Sequence, residues 1–208
     1  MMLIRFETAK VEGMEEQHIS GKSFRGQDLT GEEFHECTFS NCDFSEVRWE
    51  GSRFVDVTFA ECNLSGIRLA GAGFRDVRFE PCKVVGANFG ELNPLASDMA
   101  FDDCRLVYCV FSNLALARLH MENCEVTGTQ FEQCNLSKAT FRGSRFSESL
   151  FSDCSLKQAD FRRASGYLMD PRRNQLQGAK FSSPEALALL LPFGITLDEP
   201  EGRPGRQK

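Results

Sequence analysis

The amino-acid sequence predicts an all-β fold in which the chain winds as a parallel square coil, with four short sides to each turn. Three observations predict it. Large apolar residues return at every fifth position, small side chains stand two places before each of them, and the remaining positions are mostly polar or glycine. A five-residue step suits neither regular secondary structure, because it rotates a helical side chain by roughly 140° and reverses the face of a strand. It does suit a side with one large and one small inward residue, followed by a corner. Four such sides close a coil, and coils stack at the strand spacing of about 4.8 Å.

The register is clearest in FHECTFSNCDFSEVRW, where Phe34, Phe39, Phe44 and Trp49 follow one another at fives. The frame extends from Phe24 through Phe54 and Phe59 to Phe89, then restarts at Phe101 and runs through Phe111, Phe131, Phe141, Phe146 and Phe151 to Phe161. Of the 19 Phe, all but Phe6 and Phe193 lie on it once Phe181 is included. With only two Tyr and one Trp in the chain, the aromatic ring serves as plain core filler. Phe39, Phe44, Phe54, Phe59, Phe131, Phe141 and Phe151 are therefore expected in the interior.

All nine cysteines occupy the small position: Cys37, Cys42, Cys62, Cys82, Cys104, Cys109, Cys124, Cys134 and Cys154. Cys42, Cys62 and Cys82 are one full turn apart, so they stack on one inner face. Thiols pointing the same way up a ladder do not make a tetrahedral metal cage, and no pair has CxxC spacing. They read as small buried hydrophobes, and no cofactor or metal is expected.

The units CTFSN, CDFSE, CNLSG, ANFGE, CNLSK and ADFRR resemble the repeats of the pentapeptide-repeat family, over about residues 19 to 181. The resemblance implies a right-handed quadrilateral parallel β-helix with a short C-terminal α-helix. Together with the residues at its two ends, this divides the chain into an N-terminal cap at 1–20, the repeat β-helix at 21–181, interrupted at about 90–100, a helix and dimerisation segment at 182–197, and a disordered tail at 198–208. Lys22, Gln27 and Glu32 fill small positions of the first coil, which is therefore expected to be open to solvent or covered by the cap.

From Phe89 to Phe101 the chain has two residues more than the frame needs, and Pro94 stands where an inward residue belongs. Proline cannot donate to a ladder, so the segment around Glu91, Leu92, Asn93 and Pro94 should bulge. At the other end, Ser183 before Pro184 reads as a helix N-cap with proline at the first helical position, and the helix should stop near Pro192. Leu187, Leu190, Leu191, Phe193, Ile195 and Leu197 leave that short segment without a polar face, so it is expected to pack on the last coil and on a second copy of the chain.

The formal net charge of -6 opposes binding to nucleic acid or an anionic membrane and permits a basic partner. The start MMLIRFETAK lacks the apolar core of a secretory signal, and no run is long enough to span a membrane, so a cytoplasmic protein is expected. His18, His35 and His120 stand in no metal-binding or nucleophile motif, and no phosphate-binding loop is present, so the chain is not expected to be an enzyme. Charge is concentrated in the first half. Residues 28 to 61 hold Asp28, Glu32, Glu33, Glu36, Asp43, Glu46, Glu50, Asp56 and Glu61 against Arg48 and Arg53. Glu36, Asp56 and Asp76 are one turn apart and form an acidic column, with Glu46, Glu50 and Glu61 nearby.

The C-terminal stretch YLMDPRRNQLQGAKFSSPEALALLLPFGITLDE is similar to the end of the topoisomerase-protecting members of the family, the Qnr, MfpA and albicidin-resistance type. That resemblance implies a homodimeric DNA mimic that binds DNA gyrase or topoisomerase IV and counters a topoisomerase poison. A repeat scaffold binding some other protein is the alternative.

Overall fold

The structure, a computed structural model, describes residues 14–95 and 97–196. The chain is a solenoid of parallel strands with about eight turns and little helix. Phe34 pairs with Phe54 and Phe54 with Phe74, while Phe111 pairs with Phe131 and Phe131 with Phe151. Twenty residues thus make one turn. The five-residue frame works because each side has a single large inward residue and every coil places it directly above the last.

Rings fill the lumen in columns. Phe24 stacks on Phe44 at 4.7 Å, Phe39 on Phe59 at 5.3 Å, and Phe89, Phe111, Phe131 and Phe151 follow one another at 4.5, 4.9 and 4.6 Å. Rings of adjoining columns meet edge to face, as Phe39 and Phe44 do at 5.2 Å. These offset and T-shaped geometries favour aromatic pairs beyond their buried area. All seven core phenylalanines predicted from the sequence are buried.

The cysteines do more than fill space. Short donors at small positions lie above the carbonyl of a large residue one coil earlier and bond to it. Cys62 Sγ donates to Phe39 O at 3.4 Å, Cys104 Sγ to Phe79 O at 3.1 Å and Cys154 Sγ to Phe131 O at 3.4 Å. Ser52 and Ser144 make the same bond through their hydroxyls, at 2.6 and 2.9 Å, and Asn174 through its amide at 3.0 Å. Among the described residues no cluster of His, Cys, Asp or Glu is arranged to hold a metal.

Corners turn through one residue in the left-handed region. One corner uses Gly31, Gly51 and Gly71; another uses Glu16, Glu36, Asp56 and Asp76, with φ between 50 and 54°. Left-handed backbone disfavours a side chain, so carboxylates at that corner are tolerated against local preference.

The ends depart from expectation in three ways. The ladder begins at Met14, which pairs with Phe34, and His18–Ser20 pairs with Thr38–Ser40, so residues 14–20 belong to the first coil and not to a separate cap. What precedes them, and the tail after Thr196, lie outside the described residues. Lys22 is exposed and Gln27 and Glu32 are half-buried, as an open terminal coil requires. The C-terminal helix, Glu185–Phe193, is 3-10 and not α. Ser183 does not cap it. Pro184 takes the cap position without a side-chain bond, and Leu187 N–H closes onto Pro184 O three residues back. Pro192 lies inside the segment, and Gly194 at φ 70° ends it. Pro192 brings no amide to an α ladder, and the segment runs in tight three-residue closures.

Candidate partner-binding surface

Charge follows from coil geometry. Asp76 lies over Asp56, because Val55 pairs with Arg75 and Val57 with Val77. Glu36 lies beneath Asp56 and Glu16 beneath Glu36, each placed by its amide bond to the next coil, Glu36 N to Val55 O and Glu16 N to His35 O. The corner then continues to Asp98. Five exposed carboxylates therefore rise along one edge, spaced by about 4.8 Å. Above Asp98 the sign reverses, since Arg118 and Lys138 occupy the same corner. Asp76 pairs with Arg78 at 3.2 Å, whereas Glu36, Asp56 and Asp98 form no salt bridge among the described residues.

The other acids predicted for this face divide. Glu61 stands on the neighbouring corner, across the face that carries Glu80 and Asp102. Glu46 stands on the diagonally opposite corner, bonded to Arg25 at 2.9 Å, and Glu50 lies on the far side, 3.6 Å from Arg48. Both are corrected out of the acidic surface. Ten residues are two sides of a square, so Glu46 cannot share an edge with Glu36 however close they are in sequence.

The interruption is built as a turn and a bulge. Phe89–Glu91 forms a 3-10 turn capped by Asn88, whose Oδ1 accepts Gly90 N–H at 3.1 Å and whose amide donates to Glu91 at 2.9 Å. Leu92 is buried in the small column above Ala72, so it is a core residue and not part of the projecting loop. Asn93, Pro94 and Leu95 project, Leu95 with 95% of its surface exposed. Phe74 is then paired with Ser97, and Val77 with Met99, so Arg75 and Asp76 together face the single Asp98. This is a β-bulge, and it cuts the corner.

The column Phe34, Phe54, Phe74 resumes at Leu116, and among the described residues it holds Ser97 between them, paired with Phe74. Beside it opens a groove of about 520 Å³, walled by Phe74, Leu116, Met99, Pro94 and Leu95. Over the Asp98 corner lies a second hollow of about 300 Å³, lined by Asp76, Asp98, Asp102 and Glu80 against Arg78 and Arg118. Asp102 Oδ1 is buried there without a hydrogen-bond partner among the described residues.

The sequence profile of the pentapeptide repeat region matches residues 32–94 and 96–181, breaking at the same place as the coil. The chain belongs to the pentapeptide-repeat family. Among solved structures it is similar to HetL, a pentapeptide-repeat protein involved in heterocyst differentiation regulation from the cyanobacterium Nostoc sp. strain PCC 7120. The two are 13% identical, with a TM-score of 0.62 over 81% of this chain and 84% of HetL. Full-length QnrB1, a plasmid-mediated fluoroquinolone resistance protein, aligns at 23% identity over 86% of this chain and 100% of its own, with a TM-score of 0.39. No curated protein sequence matches significantly.

The last segment of this pentapeptide-repeat protein carries the remaining predicted site. Leu189 packs on the core, while Leu187, Leu191, Phe193 and Ile195 are exposed, Leu191 by 60%. Leu190 is half-buried, and Leu197 lies outside the described residues. Arg172 caps the Phe193 ring at 5.4 Å from its centroid. Among the described residues no helix is long and apolar enough to cross a membrane. Sequence reasoning missed Glu16, Leu95, Ser97 and Asp98. Glu16 was detectable by extending the acidic column one coil back, and Asp98 by extending it one coil forward with the two surplus residues added.

Proposed function

We propose that this pentapeptide-repeat protein is a non-enzymatic, homodimeric ligand of DNA gyrase or topoisomerase IV that occupies the DNA-binding surface and so protects the enzyme from a topoisomerase poison. The observation that carries the reading is the edge of stacked carboxylates from Glu16 to Asp98. A regular row of fixed negative charge on a narrow rod creates a potential of several kT, which draws in a basic cleft. The row is sparser than DNA, which has a charge per about 1.7 Å of axis, so shape must contribute to recognition. The likeness of the C-terminal stretch to the topoisomerase-protecting group supports the same reading. The exposed Leu187, Leu191, Phe193 and Ile195 supply an apolar surface for a second copy.

The alternative, a scaffold for another protein partner, draws support from the reversal of the corner at Arg118 and Lys138, because a uniform DNA mimic needs no basic half. Supercoiling by purified gyrase, with and without a quinolone-type poison, distinguishes the two. The proposed function predicts restored supercoiling and fewer trapped cleavage complexes at stoichiometric protein. Unchanged supercoiling in both arms would leave the scaffold.

A further inference from the structure

We infer that the groove at the interruption is a docking pocket for an extended segment of a protein partner that carries an apolar side chain two residues from a lysine or arginine, so that both point to one face. The inference deepens the partner-binding reading above, on which it rests only for the identity of the protein that supplies the segment.

Three features define the occupant. The floor is apolar, because Phe74, Met99 and Leu116 line it and Ser97, the residue paired with Phe74, brings only a short side chain. At about 520 Å³ the groove falls within the usual range for a binding cavity of roughly 300–1,000 Å³. Its rim carries Leu95, whose exposed side chain stands ready to cover an apolar group.

The adjoining hollow sets the charge. Asp98 and Met99 wall both cavities, so one short segment crossing that corner reaches both. In the hollow, Asp76, Glu80, Asp98 and Asp102 outnumber Arg78 and Arg118, and Arg78 is already engaged with Asp76. His120 also faces this space and Arg75 faces the groove, so neither cavity lacks cationic groups; the carboxylates nevertheless remain in excess. Asp102 Oδ1, buried and lacking a partner among the described residues, adds an acceptor that a cationic donor satisfies. An apolar knob in the groove with a cation beside it in the hollow is therefore complementary in both shape and charge.

The probes are synthetic peptides of the form acetyl-Gly-Phe-Gly-Arg-Gly-amide, with Phe→Ala and Arg→Glu versions as controls. Each is titrated into the full isotope-labelled chain while the amide resonances of Ser97, Asp98 and Met99 are followed by NMR. The expected result is saturable shifts at those amides, with the Phe–Arg peptide about tenfold tighter than either control. Ser97→Phe, which fills the groove from within, is expected to abolish the shifts while the melting temperature holds or rises. Asp98→Arg, an exposed change, should remove the preference for arginine over glutamate. No saturable shift up to roughly 5 mM peptide, or equal binding of the three peptides, overturns the inference. Since no arm contains gyrase, a chain that binds the peptide but not gyrase counts against the proposed function alone.

Discussion

Phe79 and Phe101 stack at 4.9 Å with their planes 11° apart, although twenty-two residues separate them where most coils have twenty. The surplus is absorbed within one side, by the turn at Phe89–Glu91 and the projecting Asn93, Pro94 and Leu95. The ring column beyond is undisturbed. This contact makes the interruption a local device in an otherwise continuous core, and the expectations below follow from that arrangement.

Phe131 lies fully buried between Phe111 and Phe151, at 4.9 and 4.6 Å. Phe131→Ala is expected to cost about 3–5 kcal/mol, because neighbouring coils held by backbone ladders cannot collapse into the gap. Urea unfolding followed by circular dichroism measures it, and a loss under about 1 kcal/mol would contradict the interior placement.

Cys104 both donates to Phe79 O at 3.1 Å and accepts from Cys82 N–H at 3.2 Å. Serine can make both bonds and alanine neither. Cys104→Ala should therefore be less stable than Cys104→Ser by about 1–3 kcal/mol, even though alanine is the more apolar replacement. The reverse order in denaturant midpoints would show that the thiol acts by packing alone.

Alkaline pH should weaken the fold. Hydrogen bonding along the thiol ladder, with burial adding to it, pushes Cys82 and Cys104 up from 9.0 to about 12, and burial pushes Cys109 up to about 11. The native state holds these protons more tightly than the unfolded chain, so the stabilisation is complete below pH 9 and is lost as pH rises through the native values. The denaturation midpoint is expected to fall between pH 8.5 and 10.5, less steeply in Cys104→Ser. A midpoint independent of pH over that interval would contradict the buried, protonated ladder.

Leu187→Asp combined with Leu191→Asp places two charges on the exposed apolar side of the C-terminal 3-10 segment, away from Leu189, which packs on the core. Light scattering after size exclusion should show the parent as a dimer and the variant as a monomer with unchanged circular dichroism. A variant that remains dimeric would move the contact elsewhere on the rod.

Much of this was legible in the sequence, for a physical reason. Outside the breaks every side has the same length and one large inward residue, so the period of Phe34, Phe39 and Phe44 determines both fold and core. The acidic edge was legible wherever residues were counted by turns, as with Glu36, Asp56 and Asp76. Closeness in sequence misplaced Glu46 and Glu50. Where the frame breaks, periodicity no longer says which residue goes inside. Leu92 looked like loop and is core, and the residue that pairs with Phe74 is Ser97 and not Pro94. The bonds of Cys62, Ser144 and Asn174 to carbonyls one coil earlier become visible only when the shared register of their donors is noticed. Helix type at Glu185–Phe193 was not legible, because propensity does not distinguish three-residue from four-residue closure between two prolines.

The most direct test of the account is the affinity of gyrase for the parent and for the triple variant Glu36→Lys, Asp56→Lys, Asp76→Lys, measured by interferometry at two salt concentrations. All three side chains are exposed, so the fold should persist. The account predicts that the parent binds, that its affinity falls as salt is raised, and that the variant loses at least about tenfold, equivalent to about 1.4 kcal/mol. Equal affinity of the two proteins, or no binding by the parent at low salt, would contradict it.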